Sequence, residues 1–208
     1  MVADGPWAYL LREYIVIGRK PNNFEQNLGV NLAVMHKHTA EKFGLPQDNF
    51  IGPLSQANGE LADGREFFWQ RRIMPQVEVA MQQALLHSGL RVYLEVLHKR
   101  LPELLPAEPP AFVHGDLWNA NVLVGPRGQP ILIDPAVHYG LRETDLAMMH
   151  LFGGFEPEVF EAYAGAFPLL PGFNERLPLH QLYYLLVHVN LFGRSYVPQV
   201  EAVLKKYQ

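Results

Sequence analysis

The sequence predicts an α+β fold in which a small sheet is set into a mostly helical chain. Leucines recur at helical spacing over residues 90–101, where they form one apolar stripe. Short apolar runs typical of strands follow in the middle of the chain, at residues 111–113, 122–124 and 131–133. Helical patterning returns at Thr144 and continues to the end. We therefore expect a helical domain that carries one small β-hairpin.

The segment before the leucine stripe predicts a strand, a helix and a long loop. Residues 9–17 are rich in β-branched and aromatic side chains and end at Gly18, which is typical of a strand. Residues 21–23 open a helix, with Asn23 as its expected cap. Residues 44–64 hold glycine, proline, Asn and Asp and predict a loop. Its polar side chains either bind a polar acceptor or build turns.

Two further helices and one turn complete the pattern. Residues 67–72 and 77–87 are expected to be helical, and Gly89 ends the second run. Prolines predict an irregular connection after the leucine stripe; they are Pro102, Pro106, Pro109 and Pro110. The turn at residues 125–128 joins two of the apolar runs into the expected hairpin, and Gly193 is expected to end a helix.

The composition excludes several functional classes. The formal net charge is −4, which offers no basic patch for nucleic acid. The chain has no cysteine and therefore no disulfide, thiolate metal site or cysteine nucleophile. It shows neither a signal core near the N-terminus nor an apolar run of the roughly 18 residues that span a membrane. These features predict a cytoplasmic protein that binds neither nucleic acid nor membranes.

The most informative segment is His-Gly-Asp-Leu-Trp-Asn-Ala-Asn at residues 114–121, followed by an apolar run that ends at Asp134. Kinase-type phosphoryl transfer uses one carboxylate to orient the acceptor hydroxyl, and an amide and a second carboxylate to hold magnesium. Asp116, Asn121 and Asp134 supply these groups in that order. A hairpin between the last two would bring them to one end of the sheet. An isolated Asp and Asn at this spacing also occur in ordinary turns, but the full segment is far more specific.

These residues resemble the catalytic loop of the fructosamine kinase (ketosamine-3-kinase) family, within the aminoglycoside phosphotransferase-like kinases of the protein-kinase-like superfamily. The similarity runs from about residue 9 to the C-terminus. Trp118 and the Asp-Pro-Ala string at residues 134–136 separate this family from its aminoglycoside and choline kinase relatives. Other segments resemble the family as well, at residues 49–52, 134–140, 142–148, 151–155 and 191–193.

The resemblance implies an ATP-dependent kinase with a protein-kinase-like C-terminal lobe, and it assigns roles to single residues. Asp116 corresponds to the catalytic base, and Asn121 and Asp134 correspond to the magnesium ligands. The hinge whose backbone contacts adenine corresponds to Glu13, Tyr14 and Ile15.

Supporting roles fall on three more residues. Trp118 adjoins the base and is either an aromatic platform for a sugar ring or a packing residue. Asp145 corresponds to a buried Asp that hydrogen-bonds the backbone of the catalytic loop, and His114 is expected to do similar supporting work.

His180 and His188 are expected to be core or surface histidines, because they lie about two helical turns apart, too far for a helix-borne metal site.

The chain departs from the family pattern before the hinge. Only about a dozen residues precede Glu13, and they contain no glycine-rich phosphate loop and no strand lysine, since Lys20 follows the hinge. We therefore expect residues 1–20 to be a remnant of the N-terminal lobe strand and hinge. Residues 21–208 would then form the C-terminal lobe of an N-terminally truncated kinase. Weak activity and self-association through an exposed hinge face follow from this expectation.

The expected function is the ATP- and magnesium-dependent phosphorylation of a sugar hydroxyl on a glycated amine, either a small ketosamine or a glycated protein. Two alternatives stay open. One is a non-catalytic, kinase-like remnant that binds a ligand or partner. The other is a small-molecule kinase with another polyol or amino-sugar as its acceptor.

Overall fold

The computed structural model describes residues 2–4, 7–9 and 12–208. About half of the chain is helical, and its strands form small two-stranded sheets. The fold is therefore α+β, as predicted, although helix takes a smaller share than the sequence pattern suggested. Among the described helices, none combines the length and the hydrophobicity that crossing a bilayer requires.

Helices and short strands are interspersed along the chain. The helices are α1 (Phe24–His36), α2 (Gly64–Phe67), a π-helical segment (Phe68–Ile73), α3 (Met74–Gln82), α4 (Leu90–Leu104), α5 (Glu143–Phe152), α6 (Pro157–Ala166), α7 (Phe173–Phe192) and α8 (Val197–Lys206). The strands are β1 (Val2–Asp4), β2 (Trp7–Tyr9), β3 (Asn49–Ile51), β4 (Leu54–Gln56), β5 (Ala111–Val113), β6 (Val122–Val124), β7 (Pro130–Leu132) and β8 (His138–Gly140). Antiparallel pairs form between β1 and β2, β3 and β4, β5 and β8, and β6 and β7.

Helix α7 lies at the centre of the main hydrophobic core. It packs against α5, α3 and α8, and Leu182, Tyr183 and Leu186 are among its buried residues. A helix that is apolar on nearly all sides belongs in the interior of a domain. Gly193 ends this helix with φ +84°, a conformation that favours glycine. The predicted C-cap is confirmed.

Helices α1 and α6 pack closely together and enclose a second apolar cluster. Gly29 permits this approach, because a Cβ added to it would lie 2.2 Å from the backbone oxygen of Val159. The predicted start of α1 is confirmed, but the Asn23 side chain makes no capping hydrogen bond. The backbone N–H of Phe24 donates instead to the oxygen of Pro21, at 3.1 Å.

The predicted hairpin is confirmed as β6 and β7, with Val122 opposite Leu132. The first apolar run is also a strand, β5, but its partner is β8. The sequence pattern did not predict β8, because its three residues, His-Tyr-Gly, carry no apolar alternation.

The strand predicted over residues 9–17 is wrong where the structure describes it. Strand β2 ends at Tyr9, and residues 12–20 run without sheet pairing. Residues 10 and 11 lie outside the described part of the chain. Strand propensity reflects packing against neighbouring strands, and no strand pairs with this segment over its described length.

The loop predicted over residues 44–64 is also more ordered than expected. It contains the hairpin of β3 and β4, in which Asn49 lies opposite Gln56. Strands of three residues are too short for alternation to reveal them. Asp63 closes the segment as the cap of α2, since its Oδ1 accepts a hydrogen bond from Arg65 N at 2.7 Å.

Two helix ends differ from the prediction. Helix α3 ends at Gln82 rather than at residue 87, and the chain turns at Ala84, which has φ +54°. Helix α4 continues through Pro102, which the sequence placed in an irregular connection. Burial of Leu101 and Leu105 holds this last turn against the core.

Candidate active site

The segment 114–121 lies between β5 and β6, and a buried carboxylate accepts hydrogen bonds from its backbone. Asp145 on α5 is fully buried. Its Oδ2 accepts a hydrogen bond from His114 N at 2.7 Å, and its Oδ1 accepts one from Gly115 N at 2.8 Å. The two N–H groups just before Asp116 are therefore fixed by one side chain.

Asp145 is itself held by a relay of buried side chains. His36 Nε2 lies 3.1 Å from Asp145 Oδ2, and His36 Nδ1 lies 2.8 Å from the hydroxyl of Tyr163. The ionised carboxylate only accepts, so Nε2 carries a proton and donates to it. Burial alone would raise the pKa of Asp145, but the hydrogen bond from His36 and the one from the Gly115 N–H outweigh it and lower the pKa. The carboxylate stays ionised.

His114 connects the loop to the strand that precedes Asp134. Its Nε2 donates to the backbone oxygen of Ile133 at 3.0 Å, because a carbonyl only accepts. Its Nδ1 then accepts a hydrogen bond from Asp116 N at 3.3 Å. The ring thus fixes both the backbone at the candidate base and the end of the second strand.

Gly115 is required by the close approach of two chain segments. It has φ +82°, and a Cβ at this position would lie 2.2 Å from the backbone oxygen of Ala136. Ala136 N in turn donates to His114 O at 2.8 Å. The segment after Asp134 therefore lies directly against the loop that carries Asp116.

Asn121 and Asp134 are brought together by the base of the hairpin. Ile133 N donates to Asn121 O at 3.0 Å, which continues the pairing of β6 and β7 by one step. Asn121 Nδ2 donates to the backbone oxygen of Asp116 at 2.8 Å. Its amide oxygen therefore points elsewhere and accepts no hydrogen bond from the part of the chain that the structure describes.

Asp134 is an exposed residue in the left-handed region, with φ +49°. A non-glycine residue in this region is uncommon, and such backbone strain clusters at functional sites. Its carboxylate forms an ion pair with Arg12. That arginine directly precedes the predicted hinge residues, which brings the hinge segment to the end of the hairpin.

The residues present fit a magnesium ion shared with a nucleotide. Within the described residues, no group of three His, Cys, Asp or Glu side chains is arranged to hold a metal. Mg²⁺ commonly takes only one or two carboxylate or amide oxygens from the protein and completes its shell with phosphate and water. The free amide oxygen of Asn121 belongs to that donor set, and so does the exposed carboxylate of Asp134 once a cation replaces its ion pair with Arg12.

Asp116 has a distinctive electrostatic environment. Burial raises the pKa of its carboxyl group to about 6, and the negative charges of Asp145 and Asp134 act in the same direction. A hydrogen bond from Asn121 opposes this shift. The group is therefore mostly ionised at pH 7, with a pKa close to the range that suits a general base.

A pocket of about 260 Å³ opens beside Asp116. The tip of the β3–β4 hairpin forms one wall, and α5 and α7 form the others. It is lined largely by apolar and aromatic side chains; the lining residues are Ile51, Gly52, Asp116, Trp118, Met148, Phe152, Tyr184, Val187, His188, Leu191 and Phe192. A largely apolar pocket beside a carboxyl group whose pKa is shifted is a typical small-molecule site.

Trp118 lies on this pocket with 39% of its surface exposed. It is therefore not part of the buried core. An exposed ring on a pocket wall suits an aromatic platform for a ligand.

The polar side chains of residues 47–58 do not face the pocket. Asn49 Nδ2 donates to Val137 O at 2.8 Å, and Gln56 Nε2 donates to Ala136 O at 3.0 Å. These bonds fasten the hairpin to the segment after Asp134. The hairpin contributes to the pocket through Ile51 and Gly52, so an acceptor role for its polar side chains is not supported.

Arg72 holds the same hairpin from the interior. Its guanidinium donates to Asn58 Oδ1 at 2.8 Å and to Ala57 O at 2.5 Å, and it lies 4.6 Å from the ring centre of Phe67. Burial lowers the pKa of this arginine to about 10, with the charges of Tyr183 and others opposing the shift. The group stays protonated at neutral pH and serves as a buried anchor.

The predicted hinge residues do not line the pocket. Residues 13–15 lie on the extended segment 12–20, and Tyr14 is 87% exposed. Gly18 N donates to Val124 O at 2.9 Å and ties this segment to β6. The segment thus runs along the hairpin on the side of Asp134, while the pocket adjoins Asp116.

Sequence reasoning missed the pocket residues of α5 and α7. His188 was expected to be an ordinary core or surface histidine, yet it lines the pocket with Phe152, Tyr184 and Phe192. A signal was present in the spacing, because Tyr184, His188 and Phe192 recur every four residues and therefore share one helix face. The chain segments 151–155 and 191–193 also resembled the family, without a role being assigned to them.

The fold is kinase-like. An aminoglycoside phosphotransferase solved with ADP covers 92% of this chain with a TM-score of 0.54 at 13% identity, which shows a shared fold. The chain matches the fructosamine kinase family over residues 3–208. It belongs to that family, and it is a kinase.

Individual relatives agree with this assignment. A probable ketoamine kinase of Enterococcus faecium is 41% identical over 202 residues, which cover 96% of this chain and 72% of the relative. A second, from Lactiplantibacillus plantarum, is 38% identical and covers 100% of this chain and 75% of its own length. A crystal structure from Thermobifida fusca, assigned as a fructosamine-3-kinase, has a TM-score of 0.87 at 39% identity, covering 94% of this chain and 68% of that one.

Proposed function

We propose that this protein transfers the γ-phosphoryl group of ATP to a sugar hydroxyl of a ketosamine, the product of glycation of an amine. One observation carries the proposal. Asp116 lines the apolar pocket and also accepts the hydrogen bond of Asn121 on its backbone oxygen, at 2.8 Å. The carboxylate would then stand between a site for an organic acceptor and a site for a metal-bound phosphate.

Asp116 would act on the acceptor hydroxyl. Its ionised carboxylate accepts a hydrogen bond from the sugar O–H, orients the oxygen toward the phosphorus, and takes the proton late in the transfer. The proton thus moves from the sugar oxygen to an Asp116 oxygen. A pKa of about 6 makes this carboxylate a stronger base than an ordinary Asp, which has a value of 3.8.

Asn121 and Asp134 would hold magnesium through their side-chain oxygens. A bound Mg²⁺ neutralises the charge that spreads over the phosphate oxygens during transfer. The protein keeps the two donors at one end of the hairpin through the Ile133–Asn121 hydrogen bond. Asp145 and His114 would fix the loop backbone through their hydrogen bonds. Trp118 would supply a flat apolar face for the sugar.

The nucleotide would lie on the hinge side of the hairpin, with the backbone of residues 13–15 toward the adenine. Lys20 does not serve the phosphates in this arrangement, because its ammonium pairs with Glu25 and lies 5.2 Å from the ring centre of Phe24. We therefore expect slow turnover, and ketosamine phosphorylation is best sought with high protein concentrations and long incubation.

Phosphorus NMR of the reaction products tests the proposal. The protein is incubated with MgATP and 1-deoxy-1-(butylamino)fructose, and an aminoglycoside serves as the alternative acceptor. We expect a new sugar phosphate from the ketosamine and none from the aminoglycoside. The reverse pattern would assign a different acceptor, and no product from either would favour a non-catalytic binding protein.

Calorimetry of ATP binding tests the metal assignment separately. ATP should bind more tightly with Mg²⁺ than with EDTA, and Asp134→Asn should remove most of that difference. Glu158→Gln, an exposed carboxylate on α6, is the matched control and should retain it. A magnesium effect that survives Asp134→Asn would contradict the assignment.

A further inference from the structure

The face of α7 toward the pocket carries a row of rings. Tyr184, His188 and Phe192 follow one another at intervals of four residues, so their side chains lie one above the other on one face. Phe152, the last residue of α5, packs against this row with its ring centre 4.7 Å from that of His188. The ring centres of His188 and Phe192 are 5.3 Å apart. The pocket therefore has an aromatic wall built from two helices.

This wall is exposed where it adjoins the candidate base. Phe192 is 63% exposed and Phe152 is 39% exposed, and both line the same pocket as Asp116. Trp118 closes the pocket on the side of the loop. We refer to Trp118, Phe152, His188 and Phe192 as the aromatic cage. Exposed aromatic rings grouped around one cavity indicate a binding site rather than scattered surface residues.

His188 has a fixed tautomer within the cage. Its Nδ1 lies 2.7 Å from the backbone oxygen of Tyr184, and a carbonyl only accepts, so Nδ1 carries the proton. Burial lowers the pKa of His188, with the Tyr184 hydrogen bond opposing the shift, and the ring is neutral at pH 7. Its Nε2 is then a lone-pair acceptor, and no group in residues 12–208 donates to it.

We propose that the aromatic cage binds the protonated amine of the ketosamine and thereby selects ketosamines over the corresponding amine-free sugars. This inference deepens the function proposed above and rests on it. Ring faces attract a cation through their quadrupoles, and His188 Nε2 accepts one N–H of the ammonium. The rings also receive the apolar substituent on the nitrogen, while the sugar hydroxyl reaches Asp116 in the same cavity.

The test compares two ligands that differ in one atom. Calorimetry measures the Kd of 1-deoxy-1-(butylamino)fructose and of its ether analogue, 1-deoxy-1-butoxyfructose, at pH 7. Both carry the same sugar and the same chain, but only the amine is charged. We expect the amine to bind about fivefold to tenfold more tightly, as a desolvated cation–π contact and one hydrogen bond imply.

Variants of cage residues test the role of the cage independently of Asp116, because every variant retains the Asp116 carboxylate. Phe192→Leu retains apolar surface but removes a ring face, and we expect the preference for the amine to fall to about twofold. His188→Phe retains a ring but removes the acceptor and should also reduce the preference. Phe50→Leu is the matched control, because Phe50 is 65% exposed and does not line the pocket, and it should leave the preference unchanged.

Three results would overturn the inference. If the wild-type protein binds amine and ether equally and still phosphorylates the ketosamine, the proposed function stands and the cage has no role in selectivity. If the preference survives both cage variants, it arises from Asp116 alone. Failure of the wild-type protein to bind either ligand or to form any sugar phosphate would remove the proposed function together with this inference.

Discussion

The side-chain nitrogen of Asn121 donates a hydrogen bond to the backbone oxygen of Asp116 at 2.8 Å. This bond fixes which end of the Asn121 amide is a donor, and it leaves the amide oxygen available to a cation. The residue proposed to face magnesium is thus oriented by the backbone of the residue proposed to face the sugar. The two halves of the transfer site are held at a fixed spacing by a loop of five residues.

Replacing the candidate base should remove transfer without removing acceptor binding. Asp116→Asn retains the shape of the side chain but cannot take a proton, so we expect kcat to fall by about 10²- to 10⁴-fold with a small change in KM. Steady-state kinetics on a ketosamine measure this. Glu158→Gln on the exposed face of α6 is the control, and a kcat loss below tenfold in Asp116→Asn would rule out the assigned role.

The pH profile of kcat/KM should follow the same carboxylate. Because the base must be ionised and burial raises its pKa to about 6, activity should fall as the pH drops below about 6.

The raised pKa of Asp116 also affects stability, because above the unfolded pKa the ionised group costs folding free energy. Asp116→Asn should therefore raise the free energy of unfolding at pH 7 by on the order of 1–2 kcal/mol, which appears as a higher melting temperature. An unchanged or lower melting temperature would contradict the claim that burial disfavours the ionised form of Asp116.

Gly115→Ala should be strongly disruptive. The added Cβ would lie 2.2 Å from the oxygen of Ala136, and φ is +82°, so both the space and the backbone conformation disfavour a side chain. We expect a loss of about 2–4 kcal/mol in the free energy of unfolding and loss of activity. Urea denaturation measures the first quantity. Gly165→Ala on α6 is the matched control, since its Cβ would meet nothing within 4 Å, and it should be neutral or slightly stabilising.

A buried ion pair should give the protein a specific acid sensitivity. Arg176 binds Glu143 through two hydrogen bonds of 2.6 and 2.8 Å, and His180 Nε2 lies 3.1 Å from the same carboxylate. Burial by itself raises the pKa of Glu143, but the hydrogen bonds from Arg176 and His180 and their charges outweigh it and hold the pKa at about 2.

The direction of the pH effect on stability follows from the lowered pKa of Glu143. The stabilisation is present above the ordinary value of 4.5 and is lost as the pH falls toward about 2. Glu143→Gln should lower the free energy of unfolding at pH 7 by on the order of 2–3 kcal/mol and flatten its dependence on pH in this window. Denaturant unfolding at several pH values measures this. Glu95→Gln on the exposed face of α4 should change neither quantity.

The exposed apolar side chains of the hinge segment should promote self-association. Tyr14, Val16 and Ile17 are 87%, 58% and 61% exposed. Grouped apolar surface of this kind favours contact between copies of a protein. Sedimentation at increasing concentration should show association that the triple replacement by serine removes, whereas Val92→Ser, at an equally exposed position on α4, should not. A concentration-independent monomer in the wild-type protein would contradict the prediction.

Much of the loop at residues 114–121 could be predicted from the sequence alone. The spacing of Asp116, Asn121 and Asp134 predicted one site because a loop and a hairpin bring such residues together over a few steps of local hydrogen bonding. The same locality explains why the β6–β7 hairpin, the start of α1 and the end of α7 at Gly193 were predicted correctly. Turn residues, caps and helical spacing are readable over short windows.

Only the tertiary structure forms the pocket beside Asp116 and its aromatic wall. Phe152 and His188 lie far from Asp116 in sequence, and nothing in their local pattern distinguishes a core ring from a pocket ring. The anchoring of β3 and β4 by Gln56 likewise depends on a partner, Ala136, that lies 80 positions away. Such contacts arise from the packing of whole helices around α7, and periodicity reports only that a face is apolar. Whether that face meets another helix or a ligand is settled by the three-dimensional arrangement of its neighbours.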